Sequence, residues 1–259
     1  MEKQLKYNEP WILQRADPYV YRHTDGTYYF TASVPEYDRI VLRSASHLAD
    51  LADAEEHEVW HKHESGPQSI HIWAPELHYL FGKWYLYYAG GDKDDIWAIR
   101  PYVLECQGDD PIHDPWVEKG KMTRADGDEF SFEAFSLDAT VFEVNGTWYY
   151  IWAEKVGVGR QISNEVTRIT ATSQSANVIG TVDRIIQEKN GYTLDSVQVL
   201  LTTPDYDWER HGFWVNEGPA VIQKDGKVFM TYSASDTGVH YCMGMMTADA
   251  DADLLDPLS

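Results

Sequence analysis

Polar and apolar residues alternate in short blocks along most of the chain, with little helical periodicity. Four aromatic blocks are typical of β-strands and are bounded by turn residues. They cover residues 28–32, 83–89, 147–153 and 227–233. A turn signal ending in glycine precedes each block, at Asp25-Gly26, Phe81-Gly82, Asn145-Gly146 and Asp225-Gly226. Asp-Gly and Asn-Gly are strong hairpin signals, so the pattern predicts four β-hairpins. Residues 45–58 are expected to hold at most a helical turn.

An acidic residue precedes the apolar strand of each predicted hairpin. The four acids are Asp17, Glu76, Asp138 and Glu217, and each is followed by small, proline or apolar residues and then by the turn. Such a recurring unit indicates a repeat architecture, in which β-blades stack around an axis because a single blade cannot bury its faces. If each acid opens the innermost strand of its blade, the acids should meet at one end of the axis. The alternative is that they are only strand-cap or turn residues.

Composition narrows the choice of partners. The net charge of -21 argues against nucleic acid and against anionic membrane surfaces. The 10 Trp and 17 Tyr supply flat apolar rings, which suit both blade cores and the C–H faces of sugars. Residues 1–7 lack an apolar signal-peptide core, so we expect a cytoplasmic protein, or a secreted one whose signal was removed. Cys106 and Cys242 are expected to be buried thiols, although the sequence does not settle whether they pair.

Several stretches together resemble glycoside hydrolase family 43, in its branch of exo-α-L-arabinofuranosidases. The resemblance covers nearly the whole chain except roughly residues 166–194. Its motifs lie at Ala16–Tyr21, Ala32–Ile40, His71–His78, Leu137–Phe142, Asn216–Ala220, Tyr232–Ser235 and His240–Gly244.

The resemblance implies an all-β fold, a five-bladed β-propeller of which about four blades are visible in this chain. We therefore expect residues 1–259 to form a single catalytic propeller domain that is incomplete at its C-terminus. Residues 166–194 are expected to be an atypical insertion, a hairpin or a loop, with a strand-like alternation over residues 178–186. Self-association that completes the propeller is a further expectation.

The resemblance also implies a three-carboxylate site with separate roles. Asp17 would be the general base, Glu217 the general acid, and Asp138 the residue that orients Glu217 and raises its pKa. Inverting hydrolysis needs an acid and a base roughly 6.5–9.5 Å apart, and a neighbouring carboxylate disfavours ionisation of the acid. Glu76 is expected to have a structural, hydrogen-bonding role.

Four residues are candidate substrate-binding groups: Trp73, Trp214, Asn216 and Arg39. The two tryptophans would form pocket walls, with blade packing as the equal alternative. Arg39 would reach the pocket rim, with an ion pair at a blade edge as its alternative. No His, Cys and Asp spacing predicts a metal site, and the chemistry requires no cofactor, while the resemblance allows a structural ion in the channel.

The predicted function is inverting removal of terminal α-L-arabinofuranosyl residues from arabinan or arabino-oligosaccharides. One alternative is β-xylosidase activity on xylo-oligosaccharides. Another is a non-catalytic carbohydrate-binding propeller, or a fragment that assembles with another chain.

Overall fold

The chain folds into four antiparallel β-sheets that follow one another along the sequence. The computed structural model describes residues 10–156, 174–181 and 191–256, with 156 and 174–181 described by their backbone. We call the sheets blades 1 to 4. Blade 1 contains β1 (Ala16–Arg22), β2 (Tyr28–Ser33), β3 (Arg39–Ala45) and β4 (His57–His61). Blade 2 contains β5 (Pro67–Leu80), β6 (Lys83–Asp92), β7 (Asp95–Cys106) and β8 (Trp116–Lys121).

The second half of the chain repeats this plan. Blade 3 contains β9 (Ser136–Val144), β10 (Thr147–Val156), β11 (Gln174–Thr181) and β12 (Val199–Leu200). Blade 4 contains β13 (Asn216–Lys224), β14 (Lys227–Ala234) and β15 (Cys242–Asp249). The innermost strands pack in sequence, β1 against β5, β5 against β9 and β9 against β13. The predicted all-β propeller with about four visible blades is confirmed.

The predicted hairpins form, and three of them share one turn geometry. Phe81-Gly82, Asn145-Gly146 and Asp225-Gly226 have positive φ at both residues, as a two-residue turn between twisted strands requires. In the first hairpin only Gly26 has positive φ, and the His23 and Thr27 backbones close a longer loop. The predicted helical turn within residues 45–58 is a 3₁₀ helix at Leu48–Ala52.

Part of the predicted insertion belongs to a blade. Gln174–Thr181 is the third strand of blade 3 and pairs with β10 along its whole length. Beyond the second gap, Leu194 is fully buried in the core between blades 2 and 3. Residues 166–173 and 182–190 of the predicted insertion lie outside the described residues.

The hydrophobic core is divided among the boundaries between blades. Ile40 and Leu42 meet Leu86 and Tyr88 between blades 1 and 2. Tyr87 and Val103 meet Tyr150 and Trp152 between blades 2 and 3, and Tyr149 and Ile151 meet Val228 and Met230 between blades 3 and 4. Each boundary therefore buries aromatic and branched side chains from two sheets, which is why single blades would not be stable.

Candidate active site

Every innermost strand carries the same irregularity, near its first residues in β1, β9 and β13 and in the middle of β5. Two residues of β1, β5, β9 and β13 stand opposite one residue of the neighbouring strand, which is a β-bulge. The first bulge residue has a left-handed backbone in all four blades, with φ of 49° at Asp17, 44° at Ala74, 53° at Asp138 and 58° at Gly218. A bulge re-aims its side chain, and a non-glycine residue adopts this φ only when its surroundings enforce it.

The bulges correct the predicted equivalence of the four acids. Asp17 and Asp138 do occupy the same position, the first residue of the bulge. Glu217 lies one residue before its bulge and Glu76 lies just after its own. A position shared with Asp17 and Asp138 is therefore wrong for Glu217, because spacing to the turn does not reveal where a strand is bulged. Glu76 is out of register with those acids, as its place after Pro75 predicts.

The Asp138 carboxylate lies against the Gly218 backbone of the neighbouring blade. The Gly218 N–H donates a hydrogen bond to Asp138, and a Cβ on Gly218 would stand 3.9 Å from Asp138 Oδ2. Burial raises the pKa of Asp138 well above its usual value, and the negative charges of Glu217 and Asp17 raise it further. The innermost strands of blades 1, 3 and 4 thus bring these three acids within electrostatic reach of one another.

The carboxyl group of Glu217 accepts a hydrogen bond from a phenol hydroxyl. Burial raises the pKa of the Glu217 carboxyl, a hydrogen bond from Tyr241 lowers it, and the charge of Asp17 raises it. The Tyr241 hydroxyl donates to Glu217 Oε1 over 3.1 Å. Tyr241 belongs to a sequence motif but has no predicted role, because nothing local shows that the residue just before β15 reaches Glu217 of β13.

Asp17 is more open than the other two acids. Its side chain is exposed, and Ser33 Oγ donates a hydrogen bond of 2.8 Å to its Oδ2. The same buried Ser33 oxygen accepts a 2.8 Å hydrogen bond from the Ala74 backbone N–H. A cleft of about 410 Å³, lined in part by Ala16, Ser33 and Tyr37, opens beside it. The carboxylate is therefore fixed at one oxygen and accessible to water at this end of the blade.

Glu76 takes part in a separate chain of hydrogen bonds. Its Oε2 is 2.8 Å from His78 Nε2, and His78 Nδ1 is 3.4 Å from the Tyr19 hydroxyl. His78 is buried, and its ring lies against the rings of Tyr19 and Tyr87. This arrangement agrees with the hydrogen-bonding role that the sequence predicts for Glu76.

The two candidate tryptophans differ in their surroundings. Trp73 is half-buried, with its ring centroid 4.4 Å from that of His71 and 5.9 Å from that of Tyr37. Trp214 is 37% exposed, and the Arg210 guanidinium lies 4.8 Å from its ring centroid. Trp73 therefore packs against the core between blades 2 and 3 and is only partly open to solvent, whereas Trp214 is an exposed residue.

Asn216 and Arg39 contrast in how their polar groups are used. Asn216 is fully buried, and within the part of the chain that the structure describes neither its Oδ1 nor its Nδ2 has a hydrogen-bond partner. A buried amide without partners calls for a water or a ligand group. Arg39 forms ion pairs with Asp38 at 2.8 Å, Glu36 at 3.2 Å and Glu58 at 3.9 Å. Its guanidinium thus takes part in the blade-edge pairing that the sequence left open as the alternative.

Other expectations concern metal, cysteines and membranes. Among residues 10–156, 174–181 and 191–256, no three His, Cys, Asp or Glu side chains are grouped so that they could hold a metal ion. Both cysteines are free thiols, with Cys106 buried as predicted and Cys242 only partly buried. Over the same ranges no helix has the length and apolarity needed to span a membrane.

Comparison with known proteins places this geometry in a family. The chain is 45% identical over 252 residues to an extracellular exo-α-(1→5)-L-arabinofuranosidase of Streptomyces chartreusis, covering 97% of this chain and 69% of the relative. It is 44% identical to α-L-arabinofuranosidase 43 of Humicola insolens, covering 98% of this chain and 48% of the relative.

The solved structures agree with these relatives. The crystal structure of an α-L-arabinofuranosidase from Lactobacillus brevis is 45% identical with a TM-score of 0.82, and the match covers 97% of this chain and 73% of that one. The profile of Glycosyl hydrolases family 43 matches residues 7–259. The predicted resemblance is confirmed, and the chain belongs to glycosyl hydrolase family 43.

Proposed function

We propose that the protein removes terminal α-L-arabinofuranosyl residues from arabinan or arabino-oligosaccharides with inversion at the anomeric carbon. The observation that carries this proposal is the half-buried Asp138 carboxylate, whose pKa is raised by burial and by the charges of Glu217 and Asp17. Relatives named as arabinofuranosidases, at 44–45% identity, support the choice of sugar. The chain spans from about half to about two thirds of the length of these curated relatives.

Asp17 is the proposed general base. It accepts a proton from a water molecule, and the water oxygen forms the new bond to the anomeric carbon as the glycosidic bond breaks. Its exposure supplies access for that water, and the Ser33 hydrogen bond fixes one carboxylate oxygen while leaving the other free to accept. A base held at one oxygen is oriented without being blocked.

Glu217 is the proposed general acid, which gives its proton to the leaving oxygen. Its raised pKa supports this role, because an acid must still hold its proton near the operating pH. Asp138 and Glu217 interact as like charges, so the pair resists losing its last proton. Asp138 would therefore influence the reaction indirectly. It acts on the proton of Glu217, and the hydrogen bond from the Gly218 N–H holds its own carboxyl group in place.

The proposed pocket uses the four candidate binding residues in different ways. Trp73 and Trp214 would offer ring surface to the sugar, and Asn216 would place its unpaired amide towards a hydroxyl or a bound water. Arg39 would act at the rim, where its three carboxylate partners limit how freely it can reach a sugar.

The acid assignment is tested with Glu217→Gln. We expect the variant to lose about 10²–10⁴-fold in kcat/KM on arabino-oligosaccharides, whose leaving alcohol needs protonation. Activity on an aryl arabinofuranoside with a highly acidic phenol should fall much less, since that group departs without a proton. Glu129→Gln, an exposed carboxyl-to-amide change, is the matched control. Equal losses of Glu217→Gln on both substrates would show that Glu217 is not the acid.

The stereochemical course provides an independent test. Proton NMR during the first minutes of hydrolysis should show β-L-arabinofuranose appearing before the anomers equilibrate. Initial release of the α anomer would contradict the inverting mechanism and the role given to Asp17.

Xylosidase activity and pure sugar binding remain the alternatives. Solved structures that are named after xylan enzymes are only 15–19% identical to this chain, so they support the fold alone. Parallel assays with aryl α-L-arabinofuranoside and aryl β-D-xyloside decide between the two activities. Absence of turnover on both, with retained sugar binding, would favour a binding module.

Location and assembly are also proposals. The word "extracellular" in the name of the Streptomyces relative supports secretion. Self-association stays a prediction, and light scattering of the purified protein measures it directly.

A further inference from the structure

A large aromatic ring lies at the surface of blade 2, just after the turn between β6 and β7. Trp97 lies near the start of β7 and is 67% exposed, and the adjacent Ile96 is 45% exposed. Exposing an indole forgoes the stabilisation that burial of so large an apolar surface would give. Such a ring calls for an explanation other than folding.

The backbone beneath Trp97 is firmly braced. Asp95 Oδ1 accepts a 3.3 Å hydrogen bond from the Trp97 N–H, and Ser69 Oγ accepts a 3.0 Å hydrogen bond from the Lys93 N–H in the preceding turn. Arg100 donates a 2.6 Å hydrogen bond to the Glu133 carbonyl, which ties β7 to the segment that leads into β9. The ring is therefore presented on a structured hairpin, which lowers the entropy lost when a ligand binds.

The position of Trp97 relates it to the acid end of the axis. Ile99 lies two residues further along β7, where the strand turns into the core, and its side chain is fully buried. Ile99 packs with Leu137 of β9, the residue just before Asp138, and Trp73 packs against the same small cluster. Phe135, three residues before Asp138, has its ring centroid 6.2 Å from that of Trp97. Trp97 thus stands over the boundary between blades 2 and 3, on the side where Asp138 begins its strand.

We infer that Trp97, supported by Phe135, is a binding platform for the part of an arabino-oligosaccharide that lies beyond the cleaved bond. The inference rests on the proposed function. An exo-acting site holds the terminal sugar in its pocket, and the remaining chain must leave across the rim. The ligand is a neutral sugar chain, and the apolar C–H face of a furanose covers the exposed indole.

The platform is tested by comparing two substrates on Trp97→Ala. Arabinotriose has sugars beyond the cleaved bond, whereas methyl α-L-arabinofuranoside has only a methyl group. We expect kcat/KM for arabinotriose to fall about tenfold and kcat/KM for the methyl glycoside to stay within about twofold of wild type. Trp97→Phe should keep most of the activity on arabinotriose, because it keeps a flat ring.

Ile222→Ala is the matched control for loss of an exposed apolar side chain. Ile222 is 68% exposed, and it lies near the Gly226 turn, at the other end of its strand from Glu217. The Ile222→Ala control should leave kcat/KM unchanged for both arabinotriose and the methyl glycoside.

The outcomes separate the platform from the proposed function. A wild-type protein that cleaves neither substrate contradicts the proposed function, and the platform falls with it. An active wild type whose Trp97→Ala variant is unchanged on arabinotriose, or equally impaired on both substrates, overturns the platform alone. If Trp97→Ala were equally impaired on both substrates, Trp97 would only support the local fold.

Discussion

Glu217 is subject to two opposing influences on its proton. Burial and the charge of Asp17 raise its pKa, while the hydrogen bond from Tyr241 stabilises the ionised carboxylate and lowers it. The pKa of Tyr241 is itself raised, by burial and by the charge of Glu217, so this phenol remains a donor over the working range of pH. The alkaline limit of activity should therefore depend on the balance between Tyr241 and the neighbouring acids.

Tyr241→Phe tests this balance. Removing the donor destabilises the ionised Glu217, so its pKa rises and the acid keeps its proton to higher pH. We expect the alkaline limb of the kcat/KM profile to move to higher pH, with kcat lowered because the carboxyl is less well oriented. The measurement is a pH–rate profile on arabinobiose.

Asp138→Asn should shift the alkaline limb of the kcat/KM profile in the opposite direction from Tyr241→Phe. In the wild-type pair the last proton is lost against the like charge of the partner carboxylate, and an amide at position 138 carries no such charge, so the alkaline limb should move to lower pH. A shift of both variants in the same direction would contradict the assignment of these limbs to Glu217.

At the residue scale, the sequence identified the acids but not what holds them. Asp17, Asp138 and Glu217 each stand before an apolar strand with its own hairpin, as Glu76 also does, and the resemblance to family 43 is what separates the three predicted catalytic acids from Glu76. The contact between Tyr241 and Glu217 arises only when β15 pairs with β14 and the preceding loop folds back over β13. No local pattern encodes such a contact, and the same holds for the Ser33 bond to Asp17.

At the element scale, a repeated bulge lies at Asp17 and Asp138 and directly beside Glu217 and Glu76. Proline occupies the second bulge position in β1, β5 and β13, as Pro18, Pro75 and Pro219, and Ala139 occupies it in β9. Proline has no N–H to donate, so it is tolerated where the strand pairing is already interrupted. The sequence signal was therefore present as an acid or small residue followed by proline, although the exact register followed only from the pairing.

Ser33 links two of these bulges, and Ser33→Ala tests the link. The substitution removes the donor to Asp17 and leaves the Ala74 N–H without its acceptor in a buried position. We expect about 1–3 kcal/mol of lost stability from the unpaired N–H, measured by urea denaturation. We also expect lower kcat on arabino-oligosaccharides, because Asp17 loses its fixed orientation.

Ser33→Cys is a useful companion, since it keeps a small side chain with only a weak donor. Thr231→Ala, a hydroxyl removal in a central strand of another blade, is the control and should leave kcat unchanged. Unaltered kcat in Ser33→Ala would show that Asp17 does not depend on this hydrogen bond.

At the scale of the whole molecule, the blades and their order follow from the sequence. Aromatic strands after glycine turns predicted four hairpins, and these strands, β2, β6, β10 and β14, supply much of the buried core. The third strand of blade 3 was less evident, because Gln174–Thr181 begins in a polar stretch whose pairing with β10 comes from the sheet rather than from its own composition. The burial that stabilises the molecule is shared between blades, so no blade's sequence displays it alone.

Burial of the Asp138 carboxyl group between the blades lowers the free energy of unfolding at neutral pH. Asp138 has a folded-state pKa well above its usual value, so folding disfavours its ionised form. Below its pKa in the unfolded chain, about 3.9, the carboxyl is protonated in both states and the cost is absent. As pH rises above that value the unfolded chain releases the proton more readily, and the stability of the folded state declines until pH passes the folded-state pKa.

Asp138→Asn should therefore stabilise the protein while it impairs catalysis. The amide oxygen can still accept the hydrogen bond from Gly218, and the amide has no proton to lose. We expect the urea midpoint of the variant to exceed that of wild type at pH 7, and the difference to shrink as pH falls towards 4. Asp126→Asn, at an exposed loop position, is the control and should show no such trend. A difference between Asp138→Asn and wild type that is constant with pH would mean that packing, rather than the ionisation of Asp138, sets the cost of this site.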